Sequence, residues 1–533
     1  MPWNKATALA RINKHVEGAP DFEVQRFEDY WRLYEAQAAV FAAVKKSTTP
    51  PLFSLPRNRA VVVDTVQIYI AITNYDEYRL EEGVETEASH ERAMRLLHLY
   101  YSSADRVIEH SAAQRVDFHS GRVHAVVLEP GDEGVTRETL AEAFAFVEDF
   151  KKVAAAANRE FSDSAFDVNF RVGVDIGTCV AINNGTGSEQ EPMFLGSAAN
   201  HAAKLAAGED PGVYVSDRVR KILRQEETGI SLEFLSLSES DVAINSARRT
   251  ADGELVFGMD GSQDFTDRIV ANWRDEIDSG ELPDITDPGF TFFYQQPPLS
   301  EIDYATLSPS HSIRMPLVSL FADISGYTDY VDNAVRSGAI RDVVRALFVI
   351  REEFQDVVET DFGGRKVRFI GDCIHAVIAK GSKTQTDARD SVATAAMCAG
   401  GLHSSFALCK TVLGNIDSLG LAIGLEFGHT PVSRIGIRGE RSVRVASSVA
   451  TTQSEQMQRD CEENGVKVGP NALRVAPAAL EDILDNTGYS SETDYGEIAV
   501  CLSAVPTTFS SPTYARAHVP SNTEQPRAHL KPK

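Results

Sequence analysis

The sequence predicts an α+β protein in which one domain is repeated in tandem. Three observations predict it. The order strand, helix, hairpin, helix, strand, short helix, strand occurs twice along the chain. Short strings recur at matching places in each copy: Val123-His124-Ala125-Val126-Val127 with Ile374-His375-Ala376-Val377-Ile378, and Arg171-Val172-Gly173-Val174 with Leu421-Ala422-Ile423-Gly424. The period, roughly 250 residues, is far too long for a solenoid. A length of 533 residues also exceeds what one core supports. Each copy mixes hairpins with crossover helices, which points to helices packed on a mostly antiparallel sheet.

Residues 1–20 carry little pattern. Over 21–46, Val24, Phe27, Trp31, Tyr34, Ala38 and Phe41 recur at three and four, which predicts a helix with one apolar stripe. It is expected to pack on its own domain; a dimerisation helix, and with it a homodimer, is the alternative. Pro50, Pro51 and Pro56 end it, so 1–51 reads as an N-terminal helical segment. The first unit, 52–282, begins with a Val- and Ile-rich buried strand over 60–72. A helix follows over 88–111, a hairpin over 115–129 and a second helix over 136–161. The strand over 170–182 contains Gly173 and Gly177; a short helix over 197–207 and a strand over 212–216 follow. Proline and the lack of any period make 283–312 a linker. The second unit, 313–506, repeats the order: strand 317–324, helix 338–360, hairpin 366–378, helix 387–410, strand 421–432 with Gly424 and Gly428, and strand 466–468. The polar tail, 507–533, is expected to be disordered.

Composition excludes some functions. Net charge is −25, which argues against a broad nucleic-acid or anionic-membrane surface. No run has the apolar character of a membrane span, and no signal-peptide pattern follows Met1, so a cytoplasmic protein is expected. Six cysteines stand without metal spacing and read as reduced, mostly buried thiols.

Asp323 ends an apolar strand and precedes Ser325-Gly326-Tyr327-Thr328, a strand–turn–helix start. Such a turn leaves backbone N–H groups free for phosphate oxygens. Asp372 lies at a tight turn between two apolar strands. Two carboxylates beside a phosphate-binding turn suit two divalent cations and phosphoryl chemistry. By spacing alone the pattern is common. The strings Phe321-Ala322-Asp323-Ile324-Ser325-Gly326-Tyr327-Thr328 and Gly363-Gly364-Arg365-Lys366-Val367-Arg368-Phe369-Ile370-Gly371-Asp372, however, closely resemble the class III nucleotidyl cyclase homology domain. Its usual forms are Phe-x-Asp-Ile-x-Gly-Phe-Thr and Gly-Gly-x-x-x-Lys-x-x-Gly-Asp. The resemblance implies two ferredoxin-like domains forming an intramolecular pseudo-heterodimer. It implies Asp323, Asp372 and the Ile324 carbonyl as ligands of two Mn²⁺ or Mg²⁺ ions. Ser325, Gly326, Tyr327 and Thr328 would hold the triphosphate of a nucleoside triphosphate.

In that family one copy supplies the metals and the other a transition-state Asn and Arg. The first unit's Gly196-Ser197-Ala198-Ala199-Asn200-His201-Ala202-Ala203-Lys204-Leu205 matches, with Asn200 kept and Lys204 for Arg. Asn and Lys four apart share a helix face. In the second unit Ala450 and Ser454 are expected at those two positions. The first unit is poor at metals, with Asp64 expected where Asp323 stands and Gly121 where Asp372 stands. One site should therefore be live and its twin dead. The family's further triphosphate Arg falls at about His429, and Arg434 is expected to replace it. The base-reading pair falls at Asp117 and Ser197, which is neither the Lys/Asp of adenylyl nor the Glu/Cys of guanylyl cyclases. Asp117 can accept from uracil N3–H or the cytosine amino group, with Ser197 donating to a carbonyl. Guanine also offers N–H groups. Arg368, at the family's Lys position in the second unit, is expected to face the dead twin as a structural cation, with stacking on a base as the alternative. The unusual pair and the absence of a clear sensor domain are similar to the pyrimidine cyclases of the Pycsar anti-phage system. That resemblance implies a cyclic nucleotide read by a separate effector protein, with UTP slightly preferred over CTP. An ordinary guanylate or adenylate cyclase, or a dead nucleotide-binding regulator, are the alternatives.

Overall fold

A computed structural model describes residues 3–43, 52, 55–162, 166–183, 192–229, 232, 234–250, 253–258, 262–280, 289–437, 442–461, 463–491 and 493–503. The polar tail lies outside the described residues. In the first half the strands are β1 (Glu23–Arg26), β2 (Arg59–Ile72), β3 (Ala113–His119), β4 (Arg122–Leu128), β5 (Phe170–Asn183), β6 (Pro192–Leu195) and β7 (Gly212–Val215), forming one sheet ordered β3-β4-β2-β5-β6. β1 adds to β2 and β7 to β5, both in parallel. The helices are α1 (Lys5–Gly18), α2 (Phe27–Ala43), α3 (Tyr75–Arg79), α4 (Glu87–Ile108), α5 (Arg137–Phe161), α6 (Ser197–Leu205), α7 (Asp217–Leu223), α8 (Glu239–Ile244) and α9 (Ser262–Asp278). A small hairpin pairs β8 (Ala247–Arg249) with β9 (Leu255–Phe257).

The second half repeats the arrangement. Its strands are β10 (Phe292–Tyr294), β11 (Ser312–Ser325), β12 (Arg365–Ile370), β13 (Cys373–Ile378), the β14 (Lys380–Ser382) and β15 (Gln385–Asp387) hairpin, β16 (Gly420–Ile435), β17 (Val443–Ala446), β18 (Gly465–Val468) and β19 (Tyr489–Ser490). The main sheet runs β12-β13-β11-β16-β18-β19, with β10 on β11 and β17 on β16. The helices are α10 (Tyr327–Ser337), α11 (Ile340–Asp356), α12 (Ala388–Leu413), α13 (Val449–Arg459), α14 (Pro470–Val475) and α15 (Tyr495–Ser503). The long central strands form because β-branched and other apolar residues fill both faces, each covered by helices or by the other half. α4 starts on a capping box between Thr86 and Ser89, and Thr136 caps α5.

The cores cross between the halves. Val180, Ile182, Met193 and Leu195 of the β5–β6 arm lie in the core under α11 and α12. In return Ile435, Val443 and Val445 of the β16–β17 arm lie in the core under α4 and α5. The N-terminal segment differs from the sequence expectation: α1 and β1 precede a helix that begins only at Phe27. α1 packs on the second half, burying Ala8 and Ile12 there, and Arg11 reaches Glu353 at 2.7 Å and Asp361 at 2.9 Å. The expected linker holds β10, whose Phe292 is buried in the first core. Among the described residues one helix, Ala388–Leu413, is long and apolar enough to cross a membrane, and it is packed inside the second core. All six cysteines are free, five of them buried.

Candidate active site

Asp323 stands three residues before Gly326, whose left-handed φ of 79° turns the chain from β11 into α10. Asp372 sits in the β12–β13 turn. β11 and β13 pair with Ala322 opposite Ile374, so the two carboxylates share one end of the sheet. Burial raises the Asp323 carboxyl to about 6. Burial, and then the Asp323 charge, hold Asp372 well above its ordinary value. Two carboxyls that disfavour each other's ionisation form an all-oxygen donor pair that fits a hard divalent cation. Among the described residues no group of three or more His, Cys, Asp or Glu side chains gathers to hold a metal. Any cation there would take two carboxylates, backbone and substrate oxygens, a set that suits Mg²⁺ or Mn²⁺. Arg351 on α11 donates to the Gly371 carbonyl at 2.6 Å and lies over the Phe369 ring. No spacing rule in the sequence singles it out.

Asn200 comes from the other half. A Cβ on Gly173 would stand 2.1 Å from the Ala202 carbonyl oxygen, so only glycine lets α6 lie this close to β5. That approach carries Asn200 to α10, where its amide donates to the Thr328 hydroxyl. The Ser197 backbone N–H donates to Asp332 at 3.1 Å. Asn200, Thr328, Tyr327 and Asp372 line one cavity of 550 Å³ between the halves. Ser197 and Lys204 do not line it, and Lys204 is exposed. Asp323, Ile324, Ser325 and Gly326 are likewise not among the residues that line it.

Asp117 lines the same cavity, and so does Arg368, which the sequence placed facing the twin, although its contacts are those of a structural cation. Arg368 crosses to the first half, pairs with Asp117 and donates to the Phe118 carbonyl. His119 Nδ1 lies 2.9 Å from the other Asp117 oxygen. The two residues hold equivalent places in the two sheets: Asp117 pairs with His124, and Arg368 with His375. They meet because the halves face each other there. Against burial, the Arg368 and His119 contacts hold the Asp117 carboxyl below the usual carboxylate range. Arg434 is not brought to the carboxylates. Arg434 pairs in register with Arg444, and Arg444 donates to the Val367 carbonyl. Four residues of β12 and its turn lie between Val367 and Asp372, five steps or at most roughly 16 Å of extended chain. His429 lies beside Arg314 and His90, and burial lowers it to about 4.

The pseudo-symmetric location is built differently. Tyr69 stacks on His124 as Phe321 stacks on His375, with ring centroids 4.0 and 4.2 Å apart. This register puts Ala71, not Asp64, at the place of Asp323. Asp64 instead accepts from the Thr178 hydroxyl at 2.5 Å. Gly121 does hold the place in its hairpin that Asp372 holds in the other. In α13 the expected register is two residues off. A Cβ on Gly424 would meet the Ser454 carbonyl at 2.0 Å, as one on Gly173 meets that of Ala202. Thr452 and Gln456 therefore correspond to Asn200 and Lys204, in place of Ala450 and Ser454. The space is closed by side chains of the first half. Tyr75 bonds Ser447 at 2.8 Å, Arg79 donates to Ser448 and Thr452, and Glu85 accepts from the Val449 N–H at 2.6 Å.

No protein-family model matches the chain. It is 38% identical to a uridylate cyclase of a Rhizobium species, over 95% of this chain and 97% of that one. It is 34% identical to a uridylate cyclase of Pseudomonas aeruginosa, over 94% and 91%. Among solved structures it resembles a class III adenylyl cyclase-like ATP-binding protein from Pseudomonas aeruginosa. There the TM-score is 0.81 at 31% identity, over 94% of this chain and 99% of that one. With its class III cyclase-like fold of mixed helices and sheets, the chain is a nucleotidyl cyclase and belongs to the family of these uridylate cyclases.

Proposed function

We propose that the chain converts UTP to 3′,5′-cyclic UMP and pyrophosphate at one site shared between two units. These units, 52–282 and 313–506, act as an intramolecular pseudo-heterodimer of ferredoxin-like domains. The observation that carries the proposal is the Asn200–Thr328 bond. It joins the helix expected to orient the ribose to the turn expected to hold the triphosphate, at a cavity that Asp372 lines. Two relatives with the name uridylate cyclase support the choice of base.

The ribose 3′-oxygen attacks the α-phosphorus in line, the bond to the bridging oxygen breaks, and pyrophosphate leaves with its electron pair. The hydroxyl proton passes to water. When bound at Asp323, Asp372 and the Ile324 carbonyl, two divalent cations would acidify that hydroxyl and neutralise the triphosphate. Backbone N–H groups from Ser325 to Thr328 hold phosphate oxygens at the start of α10. Asn200 orients the ribose. Lys204, exposed one turn on, supplies its charge when the substrate closes the cleft. Arg368 and Asp117 together present donors and an acceptor, which match the carbonyls and N3–H of uracil. Ser197, whose backbone is engaged by Asp332, is left with a smaller part. The protein acts in the cytoplasm, and its product is read by a separate effector in anti-phage defence.

Product analysis tests this. Pure protein with Mn²⁺ and all four nucleoside triphosphates should release pyrophosphate and accumulate cyclic UMP. Cyclic CMP, GMP or AMP as the main product would overturn the base assignment. No pyrophosphate from any triphosphate would favour a dead regulator.

A further inference from the structure

The cavity extends past the residues given to the nucleotide. Along β12 and its turn, Asp372 marks one end, Arg368 the middle and Arg365 the other end. A nucleotide with its triphosphate at Asp372 and its base at Arg368 uses only the first part of that length. Beyond it the wall is made by Arg365, Arg434, Arg444 and Tyr304.

This end is rich in donors. Tyr304 is 6% exposed, and its hydroxyl has no hydrogen-bond partner although it is buried. Two guanidiniums lie over its ring, with Arg444 Cζ 4.7 Å and Arg365 Cζ 5.3 Å from the ring centroid. Arg434 stands beside Arg444 in the β16–β17 arm, and its Nε is also buried without a partner. The nearby acidic groups are already engaged. Glu359 accepts from the Lys366 N–H and the Gln355 amide, both at 3.1 Å, and lies 3.9 Å from Arg365. Asp303 accepts from the Ala305 N–H at 2.9 Å. Burial lowers Arg434, and lowers Arg444 to about 10, which is the sign of guanidiniums removed from water. Guanidiniums and a buried phenol hydroxyl on residues that line one space call for an oxyanion with several acceptor oxygens.

We propose that this end of the cavity is a second oxyanion subsite, distinct from the catalytic end, which takes the phosphate of a small effector or of released pyrophosphate. A ligand there touches the β16–β17 arm, which is anchored in the first core, and β12, which carries Arg368. Occupancy would thereby act on the base end of the cleft.

Calorimetric titration of the full chain without metal tests it, with inorganic phosphate, pyrophosphate and UMP as probes. Wild type should bind at least one of them. Binding should weaken about tenfold in Arg434→Gln, less in Arg434→Lys and Tyr304→Phe, and stay unchanged in Asn200→Ala. Thermal melting confirms that each variant is folded. Preference for pyrophosphate identifies the product as the ligand, and binding of UMP or phosphate identifies a separate effector. Wild-type affinity in Arg434→Gln, loss in Asn200→Ala instead, or no binding of any probe would overturn the subsite. Its fate is separate from that of the catalytic proposal, which is read from cyclic UMP formation in the same preparations.

Discussion

At the scale of single residues, the two carboxyls at the sheet end govern the response to pH. Both are raised in the folded protein, Asp323 to about 6 by burial, and Asp372 well above its ordinary value by burial and then by the Asp323 charge. A raised carboxyl stabilises the fold while protonated, fully below its unfolded value near 4, and loses that contribution as pH rises through its folded value. Metal-free protein should therefore lose melting temperature between about pH 4 and 7. Mn²⁺ should restore more of it at pH 7 than at pH 5, because cation and proton compete for the same oxygens. Asp372→Asn should flatten the slope; an unchanged slope in that variant would mean the pair is not its source. The Asp117–Arg368 pair, with both side chains about 15% exposed, makes a second prediction. Arg368→Ala leaves Asp117 buried without its cation and should cost about 3 kcal/mol by urea unfolding. Adding Asp117→Asn should recover part of this, and additive losses would show that the two are not coupled. The strings that hold Asp323, Asp372 and Asn200 could be singled out in the sequence because each is local. The Arg368 contact was not, since it depends on how two surfaces 250 residues apart face each other.

At the scale of elements, the placement of α6 against β5 controls where Asn200 stands. A methyl at Gly173 would meet the Ala202 carbonyl at 2.1 Å and the Ala206 nitrogen at 2.6 Å, so α6 must move. Gly424 holds α13 in the same way, with contacts of 2.0 and 2.3 Å to Ser454 and Gln458. Both alanine variants should lose stability, by about 1–3 kcal/mol. Only Gly173→Ala should also lower kcat of the folded protein, by roughly tenfold or more, because α6 carries Asn200 and α13 does not. Equal kcat losses in the two variants would show that the effect is general. The long central strand was readable from its β-branched run and the helix after the first hairpin from its helical period: 60–72 became Arg59–Ile72, and 136–161 became Arg137–Phe161 with Thr136 as cap. The α13 register slipped by two because a polar helix offers several nearly equivalent alignments. The glycine contacts that decide it exist only in three dimensions.

At the scale of the whole molecule, each half is preceded by a helix and a strand that tie it to the other. α1 docks on the second half while β1 joins the first sheet; α9 packs on α5 while β10 joins the second sheet. Arg11 is the charged anchor of the first tie, set on Glu353 and Asp361, which are 0% and 9% exposed. Arg11→Ala should destabilise the whole chain by about 3–5 kcal/mol, seen as one shifted unfolding transition. A small early transition of the N-terminal segment alone would contradict that coupling. α1 was invisible in the sequence because its partner surface lies 342 to 350 residues away and its own apolar pattern is weak. The recurring order of elements, by contrast, could be read at this scale from order and echo alone. In the proposed reaction the first half completes a catalytic site whose carboxylates belong to the second. The most direct measurement is cyclic UMP formation by purified Asn200→Ala with Mn²⁺. The predicted result is a fall in kcat of roughly a hundredfold or more, with the fold and the pH response of the carboxyls intact. Wild-type turnover in that variant would contradict the claim.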